Sequence, residues 1–141
     1  MDIRQLAPGF AVAPQIDPSD LPALAALGYR TIINNRPDHE VEADLASAAM
    51  QAAARAAGLA YHRLPYIPGQ MTDELVAAFA ATLAVAEGAV LAYCRSGTRS
   101  SHLWAMAEAP RLPLSEILGA AAAAGYDLSG LVPLLQARGA R

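Results

Sequence analysis

Apolar and polar residues alternate in blocks along the chain, and the blocks predict a repeated order of strands and helices. Stretches of apolar, β-branched and aromatic residues predict strands at 10–13, 29–34, 59–64 and 89–93. Apolar residues at helical spacing predict helices at about 18–27, 41–57, 72–86, 100–108, 114–124 and 129–136. This order predicts an α/β fold with a mainly parallel central sheet flanked by helices.

The most apolar of these strands ends directly before the single cysteine of the chain. Residues 89–93 form a near-continuous apolar run, which is typical of a central strand covered on both faces. Cys94 follows, and a short polar turn then leads into the next predicted helix. Because ligands of open α/β sheets bind at the carboxyl ends of the strands, the sequence places its candidate site at Cys94.

The turn after Cys94 has the residues needed to bind an anion. Its small residues allow backbone N–H groups to turn inward, and the following helix N-terminus favours both an oxyanion and a thiolate. We predict Cys94 as the nucleophile and Arg99 as the catalytic residue that closes the ring around the anion. The other predicted anion-binding residues are Arg95, Ser96, Gly97, Thr98 and Ser100. For Ser100 an ordinary helix N-cap is an equal alternative.

The composition indicates a globular protein, and the length of 141 residues indicates one domain over residues 1–141. The net charge of −3 argues against a nucleic-acid partner. All ten basic residues are arginine, which suits oxyanion recognition but also fits a GC-rich genome. No signal peptide or membrane-spanning segment is predicted, so we expect no membrane partner and a cytoplasmic location.

The histidines and the single cysteine limit the chemistry further. A lone cysteine forms no intramolecular disulfide, and it is either a buried apolar residue or a reactive thiol. The surrounding turn favours the reactive thiol. His39, His62 and His102 lack the spacing of metal ligands, so neither a metal nor another cofactor is predicted.

At this point the sequence resembles two known groups of proteins. The turn is similar to the active-site loop of single-domain rhodaneses, in which the cysteine carries a persulfide; its sequence here is Tyr93-Cys94-Arg95-Ser96-Gly97-Thr98-Arg99-Ser100. Nearly the whole chain resembles the beta-lactamase hydrolase-like, phosphatase-like domain family. The segments that carry this resemblance are residues 33–38, 91–94, 103–105 and 124–128. The resemblance implies a tyrosine-phosphatase-like fold and either phosphatase or sulfurtransferase activity.

Two details favour sulfur transfer over phosphate hydrolysis. Protein tyrosine phosphatases have five residues between the cysteine and the arginine, whereas only four lie between Cys94 and Arg99. A phosphatase also needs an acid for the leaving oxygen, and the loop at 65–71 contains no aspartate. Asp73 lies just beyond this loop and is a candidate acid, but we expect it to cap a helix instead. Asp38 is a second candidate acid. Arg36 could face the same pocket or pair with Asp38 or Glu40 at the surface.

The favoured hypothesis is therefore a cofactor-free sulfurtransferase that carries sulfur as a Cys94 persulfide. Its partners would be a small oxyanion or sulfane-sulfur donor such as thiosulfate and a thiol acceptor such as glutathione. One alternative is a phosphatase that forms a phosphocysteine at Cys94. The non-enzymatic alternative is an anion-sensing or partner-docking module.

Overall fold

The computed structural model describes residues 1–141 and contains a single five-stranded sheet. Its strands are β1 (Arg4–Ala7), β2 (Phe10–Ala13), β3 (Tyr29–Asn34), β4 (Ala60–Arg63) and β5 (Ala89–Tyr93). They lie in the order β1-β2-β5-β3-β4, with β1 antiparallel to β2 and every other pair parallel. The predicted α/β fold with a mainly parallel sheet is confirmed.

Helices cover both faces of the sheet. The helices are α1 (Leu21–Ala26), α2 (Ser47–Ala56), α3 (Asp73–Val85), α4 (Thr98–Glu108), α5 (Leu114–Ala123) and α6 (Val132–Ala137). Buried residues of α1 and α2 form a core on one face, and those of α3 to α6 form a larger core on the other. None of the helices is both long enough and apolar enough to cross a lipid bilayer.

The central strand β5 shows why its sequence is apolar throughout. Val90 and Ala92 point into the larger core, whereas Leu91 and Tyr93 point into the smaller one. Since successive side chains of a strand alternate between the faces, a strand with two covered faces has no polar position. The predicted central position of this strand is confirmed. On α4, Leu103, Trp104 and Met106 are all buried in the larger core.

Two elements differ from the sequence prediction. The helix predicted at 41–57 begins only at Ser47, after two 3-10 turns at Asp38–Glu40 and Ala43–Leu45. The Asp38 carboxylate accepts hydrogen bonds from the Ser47 N–H and hydroxyl, which fixes the start of α2 at that residue. Strand β1 was not predicted, because its four residues have no clear alternation and its place depends on pairing with β2.

The parallel strands bring four loops to one edge of the sheet. Tyr93 at the end of β5 pairs with Ala13 at the end of β2 and with Asn34 at the end of β3. Asn34 in turn pairs with Arg63 at the end of β4. The loops that follow these strands therefore surround the residue after Tyr93, which is Cys94.

Candidate active site

Cys94 lies at the bottom of the turn between β5 and α4. Its side chain is fully buried, and the Gly97 N–H donates a hydrogen bond to the sulfur at 3.1 Å. The Cys94 N–H donates to the Ala13 carbonyl at 3.4 Å, which continues the ladder of the parallel strands by one residue. The turn thus wraps around the sulfur and directs a backbone donor at it, which stabilises a thiolate.

Gly97 is the N-cap of α4 and has a left-handed backbone, with a φ of 88°. A side chain is disfavoured here for two reasons. Residues with a Cβ rarely adopt this conformation, and a Cβ at this position would collide with the Tyr126 hydroxyl. Glycine is therefore required by both the turn and its neighbour.

Ser100 does not cap α4, so the N-cap prediction for this residue is wrong. The helix begins two residues earlier, at Thr98, because Gly97 already supplies the capping conformation. The buried Ser100 hydroxyl donates instead to the Asn35 side-chain oxygen at 2.8 Å. Asn35 also donates from its amide nitrogen to the Leu64 carbonyl at 2.8 Å, so it joins the loops after β3 and β4 to α4.

Several backbone donors around the sulfur have no acceptor within the protein. They are the N–H groups of Arg95, Ser96, Arg99 and Ser100. The Thr98 N–H makes only a long contact of 3.4 Å with the Ser96 hydroxyl. The Arg95 side chain is exposed and unpaired, while its carbonyl accepts from the Gln15 N–H at 3.3 Å. Unpaired N–H groups at a helix N-terminus are suited to an anion.

Arg99 is held by hydrogen bonds on one side of its guanidinium group. Its Nη1 donates to Glu40 Oε2 at 2.9 Å and to the Tyr66 carbonyl at 2.8 Å, and its Nη2 donates to Glu40 Oε1 at 2.7 Å. A guanidinium has five N–H groups, so Nε and one hydrogen of Nη2 remain free on the same side. That free side has the geometry to bind two oxygens of an anion.

Arg36 also donates hydrogen bonds to Glu40 and holds it in place. Its Nε donates to Glu40 Oε1 at 3.3 Å, its Nη2 to the Glu40 carbonyl at 3.2 Å, and its Nη1 to the Gln15 side chain at 3.2 Å. Of the alternatives left open for Arg36, the structure shows the pair with Glu40. This pair is partly buried and continues through Glu40 to Arg99, so it supports the site.

Both candidate acids, Asp38 and Asp73, are engaged by other residues. The Asp38 carboxylate is occupied by Ser47 at the start of α2 and lies 3.7 Å from Arg63. Asp73 is exposed and pairs with Arg138 at 3.2 Å. The capping role expected of Asp73 belongs to Thr72, whose hydroxyl accepts from the Leu75 N–H at 3.1 Å.

Glu40 is the main residue of the site that sequence reasoning did not select. The sequence indicates it only as a surface partner of Arg36. A carboxylate in the loop after a strand end, opposite an arginine-rich turn, is the signal that could have indicated its role. The hydrogen bonds from Arg99 and Arg36 hold the pKa of the Glu40 carboxyl below its ordinary value.

Replacing Glu40 with glutamine should destabilise the protein most at neutral pH. A carboxylate with a lowered pKa contributes stability above its unfolded pKa of about 4.5, and this stability is lost as the pH falls through the folded pKa. Urea unfolding of wild type and Glu40→Gln should therefore give free energies that differ at pH 7 and converge in acid. Glu42→Gln, which removes a carboxylate without an ion pair, is the control. A gap that stays constant with pH would contradict the ion-pair role of Glu40.

Comparisons with known proteins match the chain to one family. Residues 2–111 match the model of the family described as beta-lactamase hydrolase-like protein, phosphatase-like domain. A beta-lactamase hydrolase-like protein of Xylella fastidiosa is 38% identical over 138 residues, which cover 96% of this chain and 32% of that protein. The chain spans about a third of the length of the curated relatives that it matches.

Solved structures have the same fold. A proposed phosphatase from Neisseria meningitidis matches with a TM-score of 0.85 and 35% identity, covering 98% of this chain and 99% of that one. TpbA of Pseudomonas aeruginosa, crystallised in complex with pTyr, matches with a TM-score of 0.62 and 18% identity, covering 96% and 90%. The second likeness shows the fold alone. The tyrosine-phosphatase-like fold implied by the sequence is confirmed.

Proposed function

Because the chain belongs to the beta-lactamase hydrolase-like protein, phosphatase-like domain family, we propose that it is a cysteine-dependent hydrolase of phosphate monoesters. The observation that carries this proposal is the contact between the Gly97 N–H and the buried Cys94 sulfur, with the Arg99 guanidinium close enough to interact electrostatically with that sulfur. The family description and the Neisseria meningitidis neighbour support phosphate chemistry over the sulfur transfer that the loop sequence favours.

In the proposed reaction the Cys94 thiolate attacks the phosphorus atom of the ester. A bond forms between sulfur and phosphorus, and the bond between phosphorus and the ester oxygen breaks, so that this oxygen leaves with the bonding electron pair as a phenolate or alkoxide. Arg99 and the unpaired N–H groups of the turn bind the phosphoryl oxygens and stabilise the charge that develops on them. Water then attacks the phosphocysteine, the bond between sulfur and phosphorus breaks, and phosphate leaves with the thiolate restored.

The carboxylates near the site lead us to infer which esters would react. Asp38 and Asp73 are engaged elsewhere, and Glu40 accepts hydrogen bonds from two arginines with a lowered pKa. Since a positioned acid contributes about 10²- to 10⁴-fold, esters whose leaving oxygen is stable without a proton should react far better. The substrate class is therefore aryl rather than alkyl phosphates.

A series of substituted phenyl phosphates tests this inference. The value of kcat/KM should fall steeply as the pKa of the released phenol rises, and an alkyl phosphate should react at least about a hundredfold more slowly. The release of inorganic phosphate measures both rates. A flat dependence on the phenol pKa would mean that a group of the protein protonates the leaving oxygen, and would contradict the inferred substrate class.

Sulfur transfer is the second candidate, and the same occupied carboxylates favour it. Thiosulfate loses sulfite, a good leaving group, when a thiolate attacks its outer sulfur, so no acid is required. The Cys94 persulfide would then pass its sulfur to a thiol such as glutathione. The chain has no second cysteine to accept it.

One mass experiment separates the candidates. After brief incubation with an aryl phosphate, a phosphocysteine adds about 80 Da to the protein, whereas a persulfide formed from thiosulfate adds about 32 Da. Steady-state release of phosphate, or of thiocyanate from thiosulfate and cyanide, must accompany the adduct. Thiocyanate without phosphate would overturn the phosphatase proposal. The absence of both an adduct and turnover would favour an anion-sensing or docking module.

A further inference from the structure

Tyr126 contacts the turn from a distant part of the chain, and the reaction described above does not use it. The residue lies after α5 and is buried, with 6% of its surface exposed. Its hydroxyl donates a hydrogen bond to the Ser96 carbonyl at 3.0 Å. Burial raises the pKa of Tyr126, so the hydroxyl keeps its proton and remains a donor at neutral pH.

The Ser96 carbonyl and the Gly97 N–H belong to one peptide group. In a planar trans peptide these two groups point in opposite directions. The carbonyl accepts from Tyr126 on one side, and the N–H donates to the Cys94 sulfur at 3.1 Å on the other. A hydroxyl that holds the carbonyl therefore sets the direction of the N–H. It also polarises the peptide group, which makes the N–H a stronger donor.

We propose that Tyr126 is a positioning residue that keeps the Gly97 N–H directed at the Cys94 sulfur and so favours the thiolate. The proposal rests on the proposed function only in taking Cys94 as the nucleophile. It applies equally to phosphate and to sulfur chemistry, because both begin with attack by the thiolate.

Tyr126 is itself held in place by the first strand of the sheet. The Arg4 guanidinium lies over the Tyr126 ring, 5.2 Å from its centroid. Arg4 Nη1 also donates to the Ala124 carbonyl at 3.0 Å, two residues before Tyr126. These contacts fix the ring and the backbone that carries it, so the hydroxyl has a defined position beneath the turn.

The test compares Tyr126→Phe with wild type by the rate at which iodoacetamide alkylates Cys94 between pH 5 and pH 10. The alkylation rate follows the thiolate fraction, and the loss of a donor to the thiolate moves the midpoint of the rate upward. We expect a shift of roughly half to one pH unit. Tyr29→Phe is the matched control, since the Tyr29 hydroxyl makes no hydrogen bond and the residue lies at the opposite end of β3.

The groups around the sulfur allow the midpoint to be assigned to Cys94. Arg99 on α4 and Tyr126 interact electrostatically with the sulfur, whereas Glu40 and Tyr66 face Arg99. Arg99 keeps its charge throughout the range, and Tyr126 is absent in the variant. A second variant, Arg4→Met, loosens the ring without removing the hydroxyl and should move the midpoint in the same direction by less.

An unchanged midpoint in a folded Tyr126→Phe protein would overturn the proposal. If the stability of both variants fell while the midpoint stayed the same, the role of Tyr126 would be purely structural. Circular dichroism establishes that each variant is folded. Because alkylation needs no substrate, failure of the phosphate and thiosulfate assays would leave this result intact, and the two proposals fail independently.

Discussion

Cys94→Ser should abolish turnover and leave the fold intact. The substitution exchanges the sulfur for a smaller oxygen at a fully buried position, so no new volume has to be accommodated. A serine hydroxyl is largely protonated at neutral pH, and the structure places no base beside it to remove the proton. We expect kcat/KM for an aryl phosphate to fall at least about a thousandfold.

Two measurements accompany this prediction. Urea unfolding should give a free energy close to that of wild type, and the mass adduct should be absent in the variant. Ser115→Ala, on the exposed surface of α5, is the control for preparation and handling. Activity within tenfold of wild type would mean that Cys94 is not the nucleophile.

Gly97→Ala should damage both stability and activity. The left-handed backbone at residue 97 is strained for alanine, and its Cβ would collide with the Tyr126 hydroxyl. We expect the backbone strain and the collision together to lower the free energy of unfolding by about 2 to 5 kcal/mol. If the turn moves to relieve the collision, the Gly97 N–H leaves the Cys94 sulfur, and kcat/KM falls as well.

Two further variants show whether the collision is the cause. Gly119 lies within α5 with open space around it, so Gly119→Ala should leave stability unchanged or raise it by about 0.5 to 1 kcal/mol. Combining Gly97→Ala with Tyr126→Phe removes the colliding hydroxyl and should restore part of the lost stability. Strictly additive losses in the double variant would contradict the collision.

The parts of the site that are local in sequence were predictable. The turn from Cys94 to Arg99 is contiguous in sequence. The sequence alone shows its small residues and arginines, and predicts its position between a strand and a helix. The central position of β5 followed from its uninterrupted apolar run. Both features depend on neighbouring residues, so a pattern along the chain contains the information.

The contacts that hold the turn join residues far apart in sequence, so the pattern of neighbouring residues does not specify which of them pair. Glu40 and Arg99 are 59 positions apart, and Tyr126 and Ser96 are 30 apart. The helix prediction for the segment before α2 was wrong for a related reason. Its composition fits a helix, but the Asp38 carboxylate fixes the helix start at Ser47, and that bond depends on how the intervening loop folds.

The residues of the loop alone do not distinguish phosphate hydrolysis from sulfur transfer. Its residues resemble the rhodanese loop, whereas the family match over residues 2–111 and the neighbouring structures favour a phosphatase-like enzyme. Both proposed reactions would use the same thiolate and the same anion-binding groups. The two reactions differ in whether the leaving group needs a proton. The carboxylates that could supply this proton come from other loops.

The contact of Arg4 with the residues around Tyr126 also bears on how the protein is made. Arg4 and Ala124 are 120 positions apart, so this bond forms only after almost the whole described chain has been synthesised. During translation the Cys94 turn emerges before the tyrosine that orients its peptide group. With synthesis at about 5 to 20 residues per second, the nascent chain carries its cysteine for seconds without that support. Under the proposed role of Tyr126, the activation of Cys94 is complete only once the segment after α5 has packed against the turn.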